Sequence, residues 1–102
     1  MKQIYNKLVR DKIPNIIKNN GGEPYTRILS NDEYIENLKN KLIEECNEVV
    51  SAKTKEDTLE ELADTFEVVR SLAKALGYSY ENLIDAVENK ATKRGGFNKK
   101  IF

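Results

Sequence analysis

Between Ser30 and Lys53 the apolar residues Ile35, Leu38, Leu42, Cys46 and Val49 return every three or four positions, a spacing that an α-helix gathers on one side. The same stretch carries Glu44, Glu45 and Glu48. With Leu38 at zero and about 100° of turn per residue, Ile35, Leu42, Cys46 and Val49 fall between roughly 0° and 80°, and Tyr34 near about −40°. Glu45 then lies at about −20°, inside the apolar stripe, and Glu48 at about −80°, on its edge. Glu44 lies further out, one turn before Glu48. A carboxylate turned towards a protein interior is costly unless something compensates it. The chain has to bring a compensating group to these acids.

The flanking punctuation predicts three further helices. Asp11 is placed to cap a short first helix that runs to Asn19, with Pro14 in its first turn and Gly21-Gly22 ending it. Glu23 to Leu29 reads as an extended connector. Ser30 and Glu33 form a capping box at the start of the long helix. The run KTKED breaks that helix, and Thr54 with Asp57 makes a second capping pair. A third helix follows from Glu56 to Leu76, closed by Gly77. Ser79 caps a fourth, Tyr80 to Arg94, closed by Gly95-Gly96, and Phe97 to Phe102 is a tail. With no strand pattern, the expected fold is all-α: a small antiparallel bundle of about four helices in one domain, residues 1–102.

The third helix is apolar on two sides. Leu62, Phe66, Val69, Ala73 and Leu76 make one face; Val68, Leu72 and Ala75 make another, shared with Glu61 and Asp64. A helix of this kind is sandwiched between partners. Glu45/Glu48 and Glu61/Asp64 are both i, i+3 pairs, so each pair sits on one helix side. Counted from Thr54, Glu48 is six back and Glu61 seven forward; Glu45 is nine back and Asp64 ten forward. A hairpin closing there sets the four carboxylates level between two helices. Crowded carboxylates can share protons, pair with Lys or Arg, or bind a cation. A divalent ion is the most economical of the three. Against it stands plain surface decoration, with Lys39, Lys41, Lys53 and Lys55 nearby.

Composition narrows the chemistry. The chain has no histidine and one cysteine, Cys46, so His-based catalysis, zinc sites and an internal disulfide are excluded. Any metal would be held by oxygen, which points to magnesium, manganese or calcium, and no EF-hand loop is present. Seventeen basic residues balance seventeen acidic ones, so nothing draws the protein to nucleic acid polymers or a membrane surface. The charged N-terminus is not a signal peptide, and no apolar run approaches the roughly 20 residues of a membrane span. A cytoplasmic protein is expected. So short a chain, with a two-faced helix, is expected to form a homo-oligomer, a dimer or a tetramer.

EECNE followed after twelve residues by ELAD resembles the EExxE…ExxD signature of MazG-like nucleoside triphosphate pyrophosphohydrolases, an all-α superfamily that includes phosphoribosyl-ATP pyrophosphohydrolases and dimeric dUTPases. The opening YNKLVRDKIPNII and the closing KRGGF look like its small, phosphoribosyl-ATP pyrophosphohydrolase-like branch, so the resemblance covers nearly the whole chain. It implies magnesium-dependent hydrolysis between the α- and β-phosphates of a nucleotide, with Mn2+ as a substitute metal. Carried over by position, Glu45, Glu48, Glu61 and Asp64 become the metal ligands. Glu44, the first acid of the signature, would position or deprotonate water. The gap of twelve is short for the family and leaves little room for an inserted base-recognition element. Phosphoryl chemistry rests on positioning and electrostatics, so acids around a metal suffice without histidine.

Phosphates also want direct cations. Lys90 and Arg94 share one face of the fourth helix, as candidates for phosphate or as ordinary charges favoured at a helix C-terminus. Lys7, Arg10 and Lys12 in KLVRDK have the same two readings, and the resemblance favours phosphate. Tyr5, Tyr25 and Tyr34 offer rings to a base, with buried packing as the plainer role. Cys46 reads as packing on the apolar face. The leading reading is a house-cleaning nucleotide pyrophosphohydrolase. The alternatives are a phosphoribosyl-ATP pyrophosphohydrolase of histidine biosynthesis and a non-catalytic helical oligomerisation module.

Overall fold

A computed structural model describes residues 6–102. Among them are four helices and no strand: α1 (Ile13–Asn19), α2 (Asn31–Ser51), α3 (Lys55–Ala75) and α4 (Tyr80–Arg94). The helix starts follow the capping chemistry. Ser30 accepts from the Glu33 amide while the Glu33 carboxylate accepts from the Ser30 amide, a closed box at the head of α2. The Arg27 guanidinium holds that carboxylate at 3.0 Å and, with the Ser30 hydrogen bonds, pulls its pKa below the ordinary value. Thr54 Oγ1 accepts from the Asp57 amide at 3.0 Å, and Ser79 closes a box with Asn82. Asp11 does not cap α1. Lys12 occupies the N-cap without a side-chain hydrogen bond, and the helix begins two residues later than Asp11, with Pro14 in its first turn. There proline needs no backbone donor, and its ring fixes the helical φ unaided.

At two helix ends glycine makes a paired closure. At α3, Gly77 adopts φ +94° while its amide donates to Lys74 O and that of Tyr78 donates to Ala73 O. At α1, Gly21 adopts φ +90°, with its amide donating to Lys18 O and that of Gly22 to Ile17 O. Both ends form the paired closure that leaves one residue left-handed, where a Cβ is strained.

Packing is concentrated in one place. α2 packs along α3, to which residues 52–54 join it directly, and α3 meets α4. Leu38 from α2 and Val68 from α3 are the buried apolar residues of this seam. Phe66 meets Tyr80 edge-to-face, with centroids 6.3 Å apart, and seats the start of α4 on α3. α1 takes no part in helix–helix packing. The second apolar face of α3, the one that carries Glu61 and Asp64, is the covered one; on the first, Leu62, Phe66 and Leu76 stay exposed, as does Leu59 nearby. Cys46 is exposed rather than packed, because α2 has a single neighbour and the far side of its stripe is left bare. The chain exposes 9319 Å², against about 5,900 Å² for a folded monomer of this mass. Its radius of gyration is 16.9 Å, where a close-packed domain of this length has about 13 Å.

With so little apolar surface sealed in the seam, Leu38 carries much of it. Leu38→Ala should cost about 3 kcal/mol in chemical denaturation at fixed protein concentration, whereas Ser30→Ala should cost about 1 kcal/mol.

Candidate metal centre

The α2–α3 seam sets the acids. Glu45 points into it and is the one buried charged residue among those described, at 9% exposure. One carboxylate oxygen each from Glu45, Glu61 and Asp64 lies within 4.8 Å of the others. The sequence sets this up directly: Glu45 sits inside the α2 stripe, and Glu61 and Asp64 lie one turn apart on the α3 face that α2 covers. Glu48 lies outside this group and is exposed, since its position at the stripe's edge turns it outward. Its charge still reaches Glu61. Partial burial first, then the negative charges of Asp64, Glu48, Glu45 and Asp57, hold the Glu61 carboxyl above its ordinary pKa.

Three cations answer these acids. Lys41, one turn before Glu45 on α2, places Nζ 3.7 Å from Glu45 and 3.7 Å from Glu44. Its stem lies along the helix while the ammonium reaches the carboxylates. Lys7 Nζ is 3.4 Å from Glu44. Arg10 Nη2 donates to Asp64 Oδ1 at 2.6 Å, across 54 positions of sequence. The N-terminal KLVRDK segment therefore lies against the acidic group. Lys12, in the same segment, is exposed and forms no ion pair among the described residues. Lys90 and Arg94 are likewise exposed on α4, which meets α3 and not α2, and no ion pair ties them to the acids. Tyr5 lies outside the described residues, and Tyr25 is largely exposed.

A separate cleft of ≈ 750 Å³ is lined among others by Tyr34, Arg70, Ser71, Tyr78 and Tyr80. Asp11, the neighbour of Arg10, lines it too, so the cleft adjoins the N-terminal segment. Arg70, Tyr78 and Tyr80 were not singled out in the sequence. They belong to the α3–α4 corner, and their common signal is only that they follow the second acidic pair.

The donors of the acidic group are carboxylate oxygens held close on two helices, a set that fits a hard divalent cation. A match to the model of the MazG-like family spans residues 28–100. The chain belongs to the MazG-like family. The family suggests a nucleotide pyrophosphohydrolase fold, and its members typically use a divalent metal. A segment of 54 residues is 46% identical to an uncharacterized protein of Mycolicibacterium smegmatis, covering 53% of this chain and 55% of that protein. The chain thus matches little more than half the length of that relative. No solved structure matches.

The raised Glu61 pKa has a signed consequence for stability. The folded chain binds more protons than the unfolded one between the unfolded value, near 4.5, and the higher folded value. Stability from this group is therefore present at acid pH and is lost as pH rises through the folded value. In metal-free buffer Glu61→Gln should melt above the wild type at pH 7, with the difference shrinking towards zero below pH 4. A variant that melts lower at pH 7 would contradict this electrostatic account.

Proposed function

We propose that this chain is a divalent-metal-dependent nucleotide pyrophosphohydrolase. It cleaves between the α- and β-phosphates to leave a nucleoside monophosphate and pyrophosphate, in a cytoplasmic house-cleaning role. The observation that carries the reading is the meeting of buried Glu45 with Glu61 and Asp64 inside 4.8 Å. A shared divalent cation would offset that crowding more completely than the single ion pairs that Lys41 and Arg10 make there. In this reading Glu45, Glu61 and Asp64 hold Mg2+, with Mn2+ as substitute, and Glu48 joins from the rim by a change of rotamer. The bound ion would neutralise phosphate charge and activate water. Glu44, half-exposed beside Glu45, orients water or takes its proton at a carboxylate oxygen. Arg10, Lys7 and Lys12 supply direct cations to phosphate from the N-terminal segment. Tyr34 and the cleft beyond it give the base a place to stack.

The same reading takes residues 1–102 as a single domain whose antiparallel α2–α3 pair assembles with further copies. The exposed Leu59, Leu62 and Phe66 on the outer face of α3 support assembly, since a lone chain leaves them in water. Lys90 and Arg94 then bind phosphate in the assembled oligomer, where α4 of one copy can approach the acids of another. No helix among the described residues is long and apolar enough to cross a membrane.

That exposed face also favours a second reading, a non-catalytic oligomerisation module. Incubation with a panel of nucleoside triphosphates and phosphoribosyl-ATP in Mg2+, with pyrophosphate assayed, separates the two. The enzyme reading expects release that falls on the order of a hundredfold or more in Glu45→Ala and in Asp64→Ala. No release from any nucleotide would leave the module. Release unchanged in both variants would trace to a contaminant and remove the enzyme reading as well.

A further inference from the structure

We infer that Arg10, supported by Lys7, is an internal counter-cation that occupies the acidic site of the metal-free protein and must leave Asp64 when a divalent cation enters. The inference rests on the reading that Glu45, Glu61 and Asp64 take such a cation. Arg10 Nη2 sits 2.6 Å from Asp64 Oδ1, a charge-assisted hydrogen bond between two half-exposed side chains. Lys7 Nζ, three residues earlier, lies 3.4 Å from Glu44. These two contacts bind one short segment to both helices of the seam, Arg10 to α3 and Lys7 to α2.

Asp64 has to serve both partners. Its carboxylate is one of the three whose oxygens converge, and it is the same group that Arg10 grips. A divalent ion among those oxygens would place like charge within a few ångströms of the guanidinium, and like charges that close repel. Arg10 and Asp64 remain half-exposed, so the contact can open without unfolding either helix. α1, which follows the segment, makes no helix–helix packing that would hold it down. A displaced Arg10 keeps its planar fork of donors at the mouth of the site, the geometry that suits a phosphate. Released from Asp64, Arg10 would become a positioning group for an incoming polyphosphate. Substrate recruitment by the N-terminal segment follows metal loading instead of preceding it.

The test is calorimetric titration of Mg2+ into the full-length wild type, Arg10→Gln and Lys12→Gln, at low ionic strength and without nucleotide. Lys12→Gln removes the same charge two residues away, where no acid is touched. Arg10→Gln should bind Mg2+ about two- to fivefold more tightly than the wild type, the range of a half-exposed ion pair, with a smaller effect in Lys12→Gln. Limited trypsin digestion supplies a second readout. Mg2+ should speed cleavage after Lys7 and Arg10 in the wild type, and should leave cleavage after Lys7 unchanged in Arg10→Gln. Equal Mg2+ affinity in all three proteins, equal tightening in both variants, or wild-type cleavage unaffected by bound Mg2+ would overturn the inference while leaving the metal reading intact. Absence of Mg2+ binding in all three would remove both.

Discussion

Three carboxylates brought within 4.8 Å of one another on the seam of two helices are the constraint to which the rest of this molecule answers. Their mutual repulsion opposes the packing of α2 on α3, which is the main packing the chain has. The raised pKa of Glu61 reflects its partial desolvation in the seam first and the neighbouring negative charges second. The cations lie where the repulsion is felt: Lys41 one turn from Glu45, Lys7 at Glu44 and Arg10 at Asp64. Two of these three come from the segment before α1. A stretch of chain that adds little to helix packing is thus tied to the site by charge.

The apolar side of the molecule tells a matching story. One face of α3 is sealed by α2 and holds Glu61 and Asp64 at the site; the other leaves Leu62, Phe66 and Leu76 in solvent. A chain exposing 9319 Å² has not finished burying itself. The two faces lie about a third of a turn apart on the same helix, so the exposed one is distinct from the one that carries the acids.

The helices were legible in the sequence because local chemistry decides them. Ser30 with Glu33, Thr54 before Asp57, Ser79, Gly21 and Gly77 each do at their helix end what their residue type prescribes. The inward turn of Glu45 was legible for the same reason, since its angle in the α2 stripe fixes its side. Asp11 does not cap α1, which begins at Ile13 with Pro14 in its first turn and no side-chain cap. Cys46 sits at the far edge of the α2 stripe, about 80° from Leu38, and with one helix neighbour that edge stays bare, so it does not pack as its spacing suggests. Glu48 lies at the stripe's edge by its angle, and it stays exposed outside the acidic group. The Arg10–Asp64 contact, 54 positions apart, has no local signature. It follows from the path of the connector between α1 and α2, and no periodicity in the sequence describes that path.

The central claim is that Glu45, Glu61 and Asp64 are gathered to share one cation. The most direct measurement is anomalous diffraction from crystals of the full chain grown with Mn2+ and without nucleotide. The account predicts a single strong peak at coordination distance from oxygens of all three residues, with the Arg10 guanidinium withdrawn from Asp64. Well-ordered density for the three carboxylates with no peak between them, and Arg10 still on Asp64 in abundant Mn2+, would contradict it.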